Sequence, residues 1–249
     1  MIKKYKTICI SDCHLGAREA KSELLNNFLK HHTCDNLFLI GDIIDGWKIQ
    51  QNKWKWNQGC SNVVRRILGM GKHGTIVTYV SGNHDEFMRP FVNHIFNLGN
   101  IKICNQAEYR SVSGKVFLIT HGDMFDGITR MAPWISLLGD KAYDVALWTN
   151  THFNYWRHKM GFGYWSLSQW LKKKVKKGID FIFKFEKTVT DYCIKHDYDG
   201  VICGHIHTPD IKMVNGIIYM NDGDFVESCS ALVENFDGSW EIIYWHKII

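Results

Sequence analysis

Proline is scarce, with 3 in 249 residues, and no tract is dominated by one or two residue types. With aromatics at 14%, this composition argues against a disordered or low-complexity region. No internal period of solenoid or propeller length recurs. Long apolar runs are missing too. Each is cut short by Gly, Asp or His well before the roughly 20 residues of a membrane-spanning helix. The start, MIKKYKTICISDCHLG, has lysines before an apolar stretch, yet it meets Asp12 and His14 at once and shows no small-residue cleavage site. It reads as a first strand, and a cytoplasmic chain is expected. The eight cysteines (Cys9, Cys13, Cys34, Cys60, Cys104, Cys193, Cys203, Cys229) include no C-x-x-C pair. Several lie in apolar runs, so all are expected to be reduced and structural. The length suffices for one large core without a second domain.

Five apolar runs are each followed at once by chemistry-bearing residues. KTICI precedes Asp12-Cys13-His14, NLFLI precedes Gly41-Asp42, and TIVTYV precedes Gly82-Asn83-His84-Asp85. KVFLIT precedes His121-Gly122-Asp123, and GVIC precedes Gly204-His205-Ile206-His207. Helical spacing between the first runs, from Lys21 to His32 and from Ser61 to Lys72, predicts an α/β fold with buried strands. GIIYMN, CSALVENF and SWEIIYW, joined by Asp-Gly turns, predict antiparallel strands near the end of the chain. A mixed sheet or two packed sheets would hold both halves.

Residues 125–192 differ from the rest. They are dense in Trp, Tyr and Phe, and from Asn150 to Thr190 they carry 9 Lys/Arg against 2 Asp/Glu, while the whole chain is +5. This segment is expected to be a helical, basic, aromatic cap inserted within one domain spanning 1–249.

In an open α/β sheet, ligands gather at the carboxyl ends of the strands. Asp12, His14, Asp42, Asn83, His121, His205 and His207 would therefore converge. Imidazoles and carboxylates suit divalent transition metals, and one carboxylate, most simply Asp42, would bridge two ions. Gly41, Gly82, Gly122 and Gly204 would let the backbone approach them closely. A single D-x-H or G-D carries little information, since such pairs arise by chance. Five clusters in order, each at the end of an apolar run, do not.

That ordered set, D-x-H, G-D-x-x-D, G-N-H-D, H-G-D and G-H-x-H, resembles the calcineurin-like metallophosphoesterases over residues 12 to 207. The resemblance implies an αββα sandwich of two mixed sheets with flanking helices. It implies one metal held by Asp12, His14 and His207 and another by Asn83, His121 and His205, with Asp42 shared. His84 matches the family's catalytic histidine, with Asp45 as the carboxylate that orients it. SDCHLG, GDIIDGW, GNHDEF, THGDMFD, CGHIHTP and NDGDFVES, together with the basic cap, further resemble the UDP-2,3-diacylglucosamine pyrophosphatase branch. That branch splits a nucleotide–lipid pyrophosphate into UMP and a lipid phosphate in lipid A assembly. It implies manganese, with zinc or iron as alternatives, while a histidine-rich set argues against magnesium alone.

On this reading the cap shelters acyl chains, and Lys172, Lys173, Lys174, Lys176 and Lys177 meet an anionic membrane surface, making the chain peripheral to the inner face of the cytoplasmic membrane. Asn83, His84, Arg18, Asp126, Lys172, Lys173 and Lys176 are candidate substrate contacts, and Arg130 is another. The branch carries Arg where this chain has His84 and lacks a match for Asp45. The competing reading is another enzyme of the fold, a nuclease or cyclic-nucleotide phosphodiesterase, although the mild overall charge disfavours nucleic acid. A binding scaffold that had lost its chemistry would be expected to miss ligands, and none is missing.

Overall fold

A computed structural model describes residues 2–92, 101–128 and 167–248. The chain divides into two compact units, residues 1–125 with 187–249 and residues 126–186. In the first unit the apolar runs become strands: β1 (Lys3–Ile10), β2 (His32–Ile40), β3 (Ile76–Val80), β4 (Ile101–Cys104), β5 (Gln106–Arg110) and β6 (Val116–Thr120). After them come β7 (Gly200–Cys203), β8 (Asp210–Val214), β9 (Ile217–Asn221), β10 (Ser230–Glu234) and β11 (Trp240–Tyr244). Two mixed sheets result, ordered β11-β10-β1-β2-β3-β4 and β5-β6-β7-β9-β8. Strands β1 to β4 pair in parallel, and β10 joins β1 antiparallel.

The interior of each parallel strand is apolar because both of its faces are covered. Cys9, Phe38, Ile40 and Val80 from the first sheet share one buried cluster with Phe117, Ile119, Ile202 and Met220 from the second. The other face of the first sheet packs on helices α1 (Ser22–His31) and α3 (Gln58–Lys72). Helix α1 buries Leu25, Phe28 and Leu29 at helical spacing, and α3 buries Cys60, Val63, Ile67 and Met70. Asn57 starts α3 by accepting the Cys60 N–H at 2.9 Å. The short helix α2 (Gly46–Gln50) follows β2.

Three strands escape the sequence pattern, namely β4, β5 and β8, which occupy sheet edges. The antiparallel expectation for GIIYMN holds on one side only: β9 lies antiparallel to β8 and parallel to β7. Strands β10 and β11 are antiparallel as expected. Of the expected cap, residues 125–128 belong to a 3₁₀ turn (Asp123–Ile128), residues 129–166 lie outside the described residues, and helix α4 (Leu167–Lys195) covers 167–192 and runs beyond it. Among the described residues, no helix is long and apolar enough to cross a membrane.

Candidate metal centre

The carboxyl ends of five strands reach one place. β1 runs into Asp12 and His14, β2 into Asp42, β3 into Asn83 and His84, β6 into His121, and β7 into His205 and His207. Backbone hydrogen bonds tie these ends together. Asp12 N donates to Gly41 O at 3.1 Å, His14 N to Asp42 O at 2.9 Å, and Gly204 N to His121 O at 3.3 Å.

The chain pays for this convergence in backbone strain. Asp12 (φ 48°), His14 (45°), Asp42 (54°), His205 (70°) and His207 (51°) all sit in the left-handed region. For residues other than glycine that costs of order 1–3 kcal/mol each and persists only where the surroundings over-determine it. The glycines explain part of the closeness. A Cβ on Gly41 would lie 2.5 Å from the His121 ring, and one on Gly82 would lie 2.3 Å from Asp42 Oδ1.

Asp12 is fully buried. Its Oδ2 accepts the His205 N–H at 2.9 Å and the Ser11 hydroxyl at 2.6 Å, while Oδ1 lies 3.0 Å from His207 Nε2 and 3.9 Å from His14 Nε2. Asp42 accepts the His84 N–H through Oδ1 at 2.8 Å. Its Oδ2 stands 3.4 Å from His121 Nε2 and 4.0 Å from His14 Nε2. His121 Nδ1 donates to Ile40 O at 2.9 Å, which aims Nε2 at Asp42 and at Asn83 Oδ1, 3.3 Å away. The His205 ring meets the His121 ring edge-on at 5.0 Å.

Burial alone would drive the Asp12 and Asp42 carboxyls upward, but the surrounding imidazoles reverse this and hold both below the usual carboxylate range. In return, burial would lower His207, yet Asp12 outweighs it and lifts the imidazole to about 9. His121 is likewise raised, chiefly by Asp42 and then Asp12, against its burial. Carboxylates and imidazoles of this kind suit divalent ions, and each imidazole would give up its proton on ligating one. Asp12, His14 and His207 offer ligand atoms within 4.8 Å of one another, as do Asp12, Asp42 and His121. The residues present thus fit a dinuclear metal site of Asp and His ligands.

His84 sits beside this cluster. Its Nδ1 lies 3.2 Å from Asp45 Oδ1, and the Trp47 ring packs on its face at 3.9 Å. Burial raises the Asp45 carboxyl, but His14 and His84 overcome that and hold it low.

Several supporting residues carry at most a weak signal in sequence. Asp85 is buried and accepts from Gly82 N (2.5 Å), Ile43 N (3.0 Å) and the Tyr79 hydroxyl (2.5 Å). It fastens the loop carrying Asn83 and His84 to the loop carrying Asp42; its place in G-N-H-D was the available clue. Asn221 donates to Gly204 O at 2.7 Å and steadies the loop before His205. Arg89 pairs with Asp123 at the rim. Of the other candidates, Arg18 is exposed on the loop after β1 and is not drawn into the cluster. The side chains of Asp126, Arg130, Lys172, Lys173 and Lys176 lie outside the described residues.

A family model described as calcineurin-like phosphoesterase matches residues 5–209. No curated protein matches. Among solved structures, a novel archaeal phosphodiesterase shares 12% identity, with 95% of this chain and 98% of that one covered and a TM-score of 0.43. YfcE, a phosphoesterase from E. coli, shares 15% identity over 96% and 98%, with a TM-score of 0.44. Vps29 complexed with Zn²⁺ from Entamoeba histolytica shares 13% over 95% and 96%, with a TM-score of 0.41.

Proposed function

The chain belongs to the calcineurin-like phosphoesterases and is a metal-dependent hydrolase, and from that premise we propose that it cleaves the pyrophosphate of UDP-2,3-diacylglucosamine into UMP and a lipid monosaccharide phosphate. The observation that carries phosphoester hydrolysis is the convergence of Asp12, His14, Asp42, His121 and His207 at the ends of strands from both sheets. Support for the lipid substrate comes from the motif series running from SDCHLG to NDGDFVES and from the basic, aromatic segment that interrupts it.

In this reading Asp12, His14 and His207 hold one ion, Asn83, His121 and His205 the other, and Asp42 is shared; manganese is proposed, with zinc or iron as alternatives. When bound, such a pair grips phosphate oxygens and lowers the pKa of a water. The chain's own groups do the rest. Asp45 fixes the His84 ring through Nδ1, leaving Nε2 to face the scissile group and give a proton to the departing oxygen. Trp47 excludes water from one face of that ring. Asn83 carries its amide beside His121 and also meets substrate phosphate. The segment with Lys172, Lys173 and Lys176 shelters the acyl chains and meets anionic lipid, and Arg18 and Asp126 are further substrate contacts.

A second reading has its own observation. The His84–Asp45 pair at 3.2 Å is the general phosphoesterase arrangement, and it favours a different phosphoester such as a cyclic or linear nucleotide. A Mn²⁺-supplemented assay on UDP-2,3-diacylglucosamine, beside bis-p-nitrophenyl phosphate and a His84→Ala control, separates the two. Rapid UMP release with slow cleavage of the generic diester supports the lipid substrate. Diester cleavage without UMP release removes that substrate and leaves the hydrolase.

A further inference from the structure

From Gly46 to His84 the chain holds Lys48, Lys53, Lys55, Arg65, Arg66 and Lys72 and no Asp or Glu. Its opening stretch is also aromatic and outward-facing. Every residue from Ile49 to Gln58 is exposed. Trp54 and Trp56 retain 42% and 36% of their accessible surface, and Trp47 and Ile49 beside them retain 38% and 43%. Backbone bonds hold the loop in this shape: Lys53 N to Lys48 O at 2.9 Å and Lys55 N to Gly16 O at 2.7 Å. Both ends are anchored at the metal centre. Trp47 packs on His84, and Trp54 packs on Gly16, two residues beyond His14.

Solvent-exposed indoles grouped this way mark a surface that something covers. Lys48, Lys53 and Lys55 make no ion pair among the described residues, so the complementary partner is anionic. We propose that the Trp47–Trp56 loop is a docking lip that seats on an anionic phospholipid surface and sets the metal centre at the headgroup layer. Indole bodies enter the headgroup boundary while neighbouring ammonium groups meet lipid phosphates. Single-stranded nucleic acid fits less well. The Trp54 and Trp56 rings lie 5.1 Å apart at 44°, too close and too tilted to admit a base, and Ile49 has no stacking face. The lip rests on the lipid-substrate reading for its purpose, since an acylated substrate resides in a membrane, but its measurement does not.

The test is flotation with vesicles of phosphatidylcholine alone and of phosphatidylcholine with phosphatidylglycerol, both free of the nucleotide–lipid. The full chain is expected to float with the anionic vesicles and not with the neutral ones. Lys53→Glu/Lys55→Glu lowers that partitioning roughly tenfold or more, and Trp54→Ala/Trp56→Ala lowers it severalfold. Lys53→Glu/Lys55→Glu keeps wild-type hydrolysis of bis-p-nitrophenyl phosphate and Trp54→Ala/Trp56→Ala keeps the native circular dichroism spectrum, each of which reports an intact fold. The proposal is overturned if the full chain ignores anionic vesicles, or if both lip variants bind like wild type. It is also overturned if only a Lys172→Glu/Lys173→Glu/Lys176→Glu variant loses binding, or if the lip variants lose an oligothymidine ligand while no vesicle is bound. Vesicle binding without UMP release from the nucleotide–lipid would remove the substrate reading and leave the lip standing; UMP release without vesicle binding would do the reverse.

Discussion

Asp45 gives one carboxylate oxygen to each of two histidines: Oδ1 lies 3.2 Å from His84 Nδ1, and Oδ2 lies 3.6 Å from His14 Nδ1. A single buried side chain thus orients both an expected metal ligand and the expected catalytic imidazole. Asp45→Asn should weaken metal affinity about 10–100-fold, as loss of a ligand's outer partner does, and should lower turnover as well. His84→Ala should lower turnover about 10²–10⁴-fold with metal affinity unchanged. Calorimetric metal titration beside diester kinetics checks the pair; equal metal affinity in wild type and Asp45→Asn would contradict the shared role.

Asp85 is the structural counterpart. Replacing it with Ala strands the Gly82 and Ile43 N–H groups and the Tyr79 hydroxyl. A buried polar group left unpaired costs about 1–3 kcal/mol, so Asp85→Ala should lower the melting temperature by many degrees. Tyr79→Phe, which removes one donor, should cost about 1 kcal/mol. Denaturant unfolding of both variants measures the ratio, and a neutral Asp85→Ala would refute the clamp.

Gly82→Ala tests how tightly the loops approach. The added methyl would meet Asp42 Oδ1 at 2.3 Å and its backbone nitrogen at 2.7 Å. Metal content and activity should fall together while the circular dichroism spectrum stays native. Retention of both would mean that the loop gives way.

All eight cysteines are buried and free. Burial pushes the Cys34 and Cys193 thiols up to about 12 and raises Cys9, Cys13 and Cys104. Thiolate is the reactive form, so Ellman's reagent should label the native protein negligibly at neutral pH and label eight thiols in guanidinium. Fast native labelling would contradict the burial.

How far the sequence could be read follows from where each signal arises. Strands β1, β2, β3, β6 and β7 were legible because their burial on both faces demands continuous apolar runs. The edge strands β4, β5 and β8 were not. IKIC is interrupted by Lys102, QAEYR is mostly polar, and DIKMV exposes alternate residues, so no continuous apolar run separates them from loops. The residues of the candidate site stood out because each follows a strand end. The left-handed backbone at Asp12, His14, Asp42, His205 and His207 did not, since it is imposed by loops that meet only in three dimensions. The grip of Asp85 on two loops and the Trp47 contact with His84 are likewise relations between distant segments, which no local pattern encodes.

The most direct measurement is metal content by inductively coupled plasma mass spectrometry, paired with hydrolysis of bis-p-nitrophenyl phosphate by the same samples. Wild type and Asp42→Asn would each be stripped by chelator and reloaded with Mn²⁺. Wild type is predicted to bind two ions per chain and to lose and regain activity with them, and Asp42→Asn to bind fewer ions and stay inactive. Wild-type turnover in the metal-free protein, or full metal content and activity in Asp42→Asn, would contradict the account.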